Sequence, residues 1–186
     1  FNGKPIVLNS VREGMSYGIG VVFQELSLFP HLSGYTNVVI GREPHRHGLV
    51  NDRKVRRSVE NLLERFRFPT IDLAKPVGNL PIAEQQMIEI LKCLYWDPQV
   101  ILFDEPTASL TRVESEALLQ AIRNLRDAGY TIAFVSHHMD EVFSLADTVS
   151  VLRDGELVLN RSVADTDQEE VLSAMLGRTL HDFYPI

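Results

Sequence analysis

The sequence predicts an α/β domain built on a mainly parallel sheet and carrying an inserted helical subdomain. Three observations carry this expectation. Strand-length apolar runs alternate with amphipathic helical segments. The runs Gln99–Phe103 and Thr131–Val135 are apolar almost throughout, the pattern of strands buried on both faces. The stretch from His31 to Gly78 holds no comparable run and reads as the helical insertion.

In chain order, the first strand is Gly18-Ile19-Gly20-Val21-Val22-Phe23, which stops at the polar Gln24, where a loop begins. From Asp52, read as an N-cap, Val55, Val59, Leu62, Leu63 and Phe66 recur at helical spacing, with Arg53, Lys54, Arg56, Arg57 and Glu60 on the other face. Those basic side chains read as a solvated face rather than a nucleic-acid patch. A second helix runs from Pro81 to Leu94, with Ala83, Met87, Ile90, Leu91 and Leu94 as its apolar stripe and Pro81 in the first turn, where a missing N–H is tolerated. The strand Gln99–Phe103 ends in Asp104 and Glu105, followed at once by Pro106.

Thr111-Arg112-Val113-Glu114 is a capping box opening a helix whose inner face carries Leu118, Ala121, Ile122 and Leu125, with Gly129 placed to end it. Thr131–Val135 makes another buried strand, ending in Ser136-His137-His138. A helix over Asp140–Ala146, a strand Thr148–Leu152, an Asp154-Gly155 hairpin turn and a strand Leu157–Asn160 follow, and Thr166 and Glu169 cap a final short helix.

The balance of 18 Lys+Arg against 25 Asp+Glu gives a net charge of -7, so the total implies no broad basic surface for nucleic acid. Cys93 is the single cysteine and lies in an apolar run, as a structural thiol does. No stretch approaches the roughly 18 to 20 apolar residues of a membrane span, and the start has no signal-peptide pattern. The chain begins at Phe1 rather than Met, and His181–Ile186 form no closing element, so both ends are expected to be cut.

In open parallel sheets, ligands collect beyond the carboxyl ends of the strands. Three strands here end in residues suited to phosphate chemistry: Gln24, Asp104 with Glu105, and His137. A carboxylate beside the strand can hold Mg²⁺, the next can orient or deprotonate water, a histidine can bond a γ-phosphate, and a glutamine can bridge metal and water. Each alone reads first as a strand meeting a solvated loop. His45, Arg46 and His47 read as a loop, His138 as incidental to His137, and Trp96 as packing at a helix end. Tyr17 and Tyr35 have no distinguishing spacing.

The combination resembles the ATPase subunits of ABC transporters, and among them the first cassette of the double-cassette proteins serving ribose-, galactose-, arabinose- and xylose-type importers. Gly20 through Pro30 is similar to the Q-loop segment, Asn37 through Pro44 to the stretch after it, Leu80 through Met87 to the signature motif, Asp104 through Thr111 to the Walker B and D-loop, and Ser136-His137 to the switch loop. Met175 through Arg178, with Tyr184-Pro185, is similar to the link toward a second cassette. The resemblance implies a P-loop NTPase-like fold divided as residues 1–30 (partial core), 31–90 (helical subdomain with signature), 91–163 (core) and 164–186 (C-terminal helix and linker).

It further implies ATP and Mg²⁺ sandwiched between two cassettes, with Glu105 as catalytic base, His137 at the γ-phosphate, and Asp104 and Gln24 at metal and water. Leu80, Pro81, Ile82, Ala83, Glu84, Gln85 and Ser109 would face nucleotide. The implied partners are a second cassette, a membrane permease and, indirectly, a periplasmic sugar-binding protein, without nucleic acid. The implied place is peripheral, on the cytoplasmic face of the inner membrane.

Two departures stand out. The phosphate loop G-x-x-x-x-G-K-[ST] does not occur, since the only Gly-Lys pair, Gly3-Lys4, is followed by Pro5. The resemblance places that loop N-terminal to Phe1, so the chain by itself is expected to be inactive. Pro81 stands where the family normally has a serine whose hydroxyl reaches phosphate, and Ala83 and Glu84 stand where it often has Gly and Gln. The composite site is therefore expected to be impaired, and a degenerate docking or regulatory cassette is the alternative to a transport ATPase.

Overall fold

The computed structural model describes residues 1–46 and 48–177; the sequence readings at His47, Arg178 and Tyr184-Pro185 lie outside the described residues. The chain divides after Val135 into two compact units.

The first unit opens with helix α1 (Val11–Ser16), which the reading above does not include. Its signal is present as Ser10-x-x-Glu13: Ser10 Oγ accepts from Glu13 N–H, while the Glu13 carboxylate accepts from Asn9 N–H. Strand β1 (Ile19–Val22) follows. Gly20 is required within it, because a Cβ there would fall 2.4 Å from Cys93 Sγ. Burial pushes the Cys93 thiol up to about 12, which fits the structural role expected of it.

The stretch read as a helical insertion holds helices and a small hairpin. Helix α2 (Gly34–Val39), capped by Ser33, precedes strands β2 (His45–Arg46) and β3 (Leu49–Val50), an exposed antiparallel pair. Helix α3 (Asp52–Arg65) buries Val55 and Val59 and exposes Arg53, Lys54, Arg56 and Arg57, as its periodicity requires. Its cap is Asn51, not Asp52: Asn51 Oδ1 accepts from Lys54 N–H at 3.1 Å, leaving Asp52 in the first turn, where its charge favours the helix dipole.

Helix α4 (Ile82–Tyr95) packs against α2, α3 and β1. Met87, Ile88, Ile90, Leu91 and Leu94 are buried, and so are Gln86 and Glu89, which no apolar stripe predicts. Trp96 terminates it, with the Arg42 guanidinium 3.9 Å from the ring centre.

Strand β4 (Val100–Asp104), helix α5 (Arg112–Asp127) and strand β5 (Thr131–Val135) complete the unit. The Thr111–Glu114 capping box forms in full, and Leu118, Ala121, Ile122 and Leu125 are buried. The sheet is parallel in the order β1-β4-β5, so the chain between β1 and β4 is an insertion into a crossover. β4 is the inner strand, with Ile101 and Phe103 fully buried. β5 corrects the expectation of a buried strand: Thr131, Ala133 and Val135 are exposed, and among the described residues it pairs only with β4.

In the second unit, helix α6 (Met139–Leu145) leads to strands β6 (Thr148–Arg153) and β7 (Glu156–Ser162), an antiparallel hairpin. Asp154 and Gly155 both have positive φ, 52° and 82°, as a tight hairpin turn requires. Helix α7 (Gln168–Leu176) is capped by Asp167, whose carboxylate accepts from Glu170 N–H at 2.8 Å. The expected Thr166–Glu169 cap is thus displaced by one residue, because Thr166 Oγ1 donates instead to the Glu170 carboxylate. Arg153 Nη1 donates to Ala174 O at 2.7 Å and ties β6 to α7. No helix among the described residues is long and apolar enough to cross a membrane.

Candidate functional site

β1 and β4 run in register from Ile19 opposite Val100 to Val22 opposite Phe103. Gln24, two residues past β1, and Asp104, the last residue of β4, therefore leave the sheet at the same carboxyl edge, both exposed.

Glu105, half-buried, adopts φ 43°, the left-handed region that costs a side-chain-bearing residue about 1–2 kcal/mol. The turn is held from both sides. Glu105 N–H donates to Val135 O at 2.9 Å, Ala108 N–H donates to Glu105 O at 3.2 Å, and Pro106 and Thr107 are buried. The reversal at Glu105 breaks the alternation that would send the carboxylates of two consecutive strand residues to opposite faces. Ser109 is exposed in the same turn, ahead of α5.

The signature-like residues gather at the amino end of α4. Leu80 is buried, Ile82 is exposed, and Ala83, Glu84 and Gln85 are half-buried. Pro81 is the N-cap rather than a first-turn residue; it is exposed and supplies no capping side chain. In its place, Gln85 Nε2 reaches back to donate to Leu80 O at 2.8 Å, and Gln85 N–H donates to Pro81 O at 3.1 Å. Glu84 lies in the first turn, where a carboxylate complements the helix dipole.

The loop after Gln24 is fixed by Asn37, which sequence reasoning placed in a motif without giving it a task. Fully buried, Asn37 accepts from Phe29 N–H at 2.7 Å and donates to the carbonyls of Phe29, Leu32 and Ser33. Its partners all lie within eight residues of it, in the turn that leads into α2.

His137 belongs to the second unit, two residues beyond β5. It is exposed, with its ring 4.1 Å from that of His138. The structure thus brings Gln24, Asp104 and Glu105 to one sheet edge and groups Leu80–Gln85 at one helix end.

Among the described residues no three His, Cys, Asp or Glu side chains form a metal cage. The donors at the sheet edge, one exposed strand-end carboxylate and one amide oxygen, suit Mg²⁺, which keeps several waters and arrives with phosphate oxygens. An apolar cleft of about 370 Å³ lies elsewhere, lined by Leu8, Val11, Gly20, Phe23, Cys93 and Trp96 among others, and includes none of these site residues.

The profile of the ABC transporter family matches residues 1–108, more than half of the chain. The chain belongs to the ABC transporter family. Among its curated relatives, the ribose import ATP-binding protein RbsA of Corynebacterium glutamicum is 40% identical over 184 residues, 99% of this chain and 35% of that protein. A putative ribose/galactose/methyl galactoside import ATP-binding protein 2 of Burkholderia cenocepacia is 42% identical over 181 residues, 96% of this chain and 35% of that protein. This ABC transporter chain therefore spans about a third of the length of these relatives.

Two solved structures share the fold. A nucleotide-free ATP-binding cassette from an ABC transporter superposes with a TM-score of 0.74 at 20% identity, over 95% of this chain and 72% of that one. The cbiO1 protein from Clostridium perfringens, part of the ABC transporter complex cbiONQ, gives a TM-score of 0.74 at 26% identity, over 92% of this chain and 68% of that one. The fold expected from the sequence, an ABC ATPase cassette with a parallel sheet, is the fold found.

Proposed function

We propose that this chain is part of the ATP-hydrolysing subunit of a sugar importer, coupling ATP turnover to carbohydrate uptake. One observation carries the proposal: Asp104 and Glu105 stand together at the end of the inner strand, with Glu105 held in a left-handed turn beside the edge that Gln24 also reaches. Asp104 and Gln24 would hold Mg²⁺, which neutralises phosphate charge when bound. Glu105 would take the proton of the attacking water, and His137 would contact the γ-phosphate. Leu80–Gln85 and Ser109 would face the nucleotide of an opposing cassette.

In this account residues 31–90 form the helical subdomain between core segments 1–30 and 91–163, with 164–186 leading onward. The loop Gln24–Pro30 meets a permease, and the chain works peripherally at the cytoplasmic face of the inner membrane beside a sugar-binding protein. The names of the two relatives given above, a ribose and a putative ribose/galactose/methyl galactoside import ATP-binding protein, support the sugar assignment.

The 186 residues contain no phosphate-loop pattern, so the triphosphate needs a cradle that they do not supply. The isolated chain is expected to show no Mg-dependent turnover. A protein joining it to the phosphate-loop segment of a curated relative is expected to hydrolyse ATP and to lose that activity on Glu105→Gln. Turnover that survives Glu105→Gln would overturn the assignment of the base.

A second function, a cassette that docks without turnover, is favoured by one observation, the absence of a hydroxyl at the N-cap Pro81. It requires that the joined protein bind its permease yet hydrolyse no ATP.

A further inference from the structure

The loop after β1 is fastened to α4 by a polar clasp that has no part in the chemistry proposed above. Glu89, 4% exposed, accepts a 2.5 Å hydrogen bond on Oε1 from Ser27 Oγ. Lys92, one turn along α4, donates to both the carbonyl and the hydroxyl oxygen of Ser27 at 2.8 Å, and its ammonium lies 3.5 Å from Glu89 Oε1. Donors and acceptors close into a triangle, in which the Ser27 hydroxyl gives its proton to the carboxylate and takes one from the ammonium. A carboxylate is costly to bury unless it is paired and hydrogen-bonded, and the other oxygen, Glu89 Oε2, has no hydrogen-bond partner among the described residues. Apolar residues on α4 would fill the same volume without that cost. What they could not do is hold the backbone of Ser27, three residues past Gln24.

We propose that Glu89 and Lys92 are positioning residues that lock the Ser27 segment onto α4, so that Gln24 and the amino end of α4 keep one mutual geometry. The inference rests on the assignment of Gln24 to the nucleotide site. Phe29, held separately by Asn37, is a built-in control, because its restraint does not pass through Ser27.

Two measurements test it. Ser27 lies on an exposed loop, so Ser27→Ala spares the core, and Ser27→Thr keeps the hydroxyl. In the purified chain, backbone ¹⁵N order parameters for Glu25–Leu28 are expected to fall from about 0.85 to below about 0.6 in Lys92→Met, which removes the donor to the Ser27 carbonyl, and by less in Ser27→Ala. Phe29 and Ile90 should stay rigid, and Ser27→Thr should behave as the unaltered chain. In the joined protein assembled with its permease, Lys92→Met is expected to lower kcat for ATP roughly tenfold with KM for Mg-ATP unchanged, and Lys92→Arg, which keeps a cationic donor outside the permease loop, to retain it.

Unchanged order at Glu25–Leu28, or an equal loss at Phe29 and Ile90, would overturn the clasp. An unaltered kcat beside a mobile loop would reduce it to a structural contact and overturn its positioning role. If the unaltered assembly hydrolyses no ATP, the ATPase assignment fails together with the catalytic half of this proposal, while the order parameters still decide whether the clasp fixes the loop.

Discussion

The backbone N–H of Glu105 donates to the carbonyl of Val135 at 2.9 Å, immediately beyond Asp104 opposite Val135, the last register pair of the two strands. This bond anchors Glu105 in its left-handed conformation. Relieving that conformation with Glu105→Gly is worth about 1–2 kcal/mol, against a chain-entropy cost of about 0.5–1 kcal/mol for glycine. The melting temperature of Glu105→Gly should therefore exceed that of Glu105→Ala, which removes the same carboxylate but keeps the strain. A lower melting temperature for Glu105→Gly than for Glu105→Ala, read by calorimetry, would show that the left-handed conformation stores no strain there.

Pro81 has φ −55° and ψ 151°, a conformation open to serine, and Glu84 stands at the third helical position. Pro81→Ser would thus create a capping box, worth about 1 kcal/mol, and would lose proline's restraint on the unfolded chain, worth about 0.4–1 kcal/mol. Stability should hold nearly constant, while the restored hydroxyl should tighten Mg-ATP binding by the joined, paired protein about tenfold. Equal affinities in a calorimetric titration would mean that the N-cap does not face nucleotide.

Asn37→Ala is expected to cost about 2 kcal/mol in chemical denaturation, because it strips the side-chain partner from Phe29 N–H, while the carbonyls of Phe29, Leu32 and Ser33 each keep a backbone donor. The melting temperature should drop by roughly 4–8 °C. A change below about 0.5 kcal/mol would mean that water replaces the amide fully.

The Glu114 carboxylate accepts from the Thr111 hydroxyl at 2.7 Å and from Thr111 N–H at 2.9 Å, and these bonds hold its carboxyl below the ordinary 4.5. With the folded value lowered, the contribution is full above the unfolded value and disappears as pH falls through the folded one. Thr111→Ala should raise the Glu114 value, measured by carboxyl NMR titration, and should narrow its stability deficit relative to the unaltered chain as the solution is acidified below about pH 4.5. An unmoved titration would show that the bond does not persist in solution.

What the sequence determined by itself was local. The apolar runs of β1 and β4, the Thr111–Glu114 box, the Asp154-Gly155 turn and the alternate faces of α3 all follow from neighbours within a few residues, and each forms. The departures of one residue at the caps, Asn51 for Asp52 and Asp167 for Thr166, follow from which neighbouring side chain accepts the first-turn N–H, since Asn51 accepts from Lys54 and Asp167 from Glu170 while Thr166 donates to the Glu170 carboxylate. The short helices α1 and α2 had serine caps to announce them, but too little length for a periodic stripe.

Only the tertiary structure decided the rest. That β5 pairs with β4 on one edge, that Glu105 takes a left-handed φ, and that Glu89 is buried beneath Ser27 each depend on segments tens of residues apart. Burial and register are properties of pairs of segments, whereas caps, turns and periodicity are properties of one.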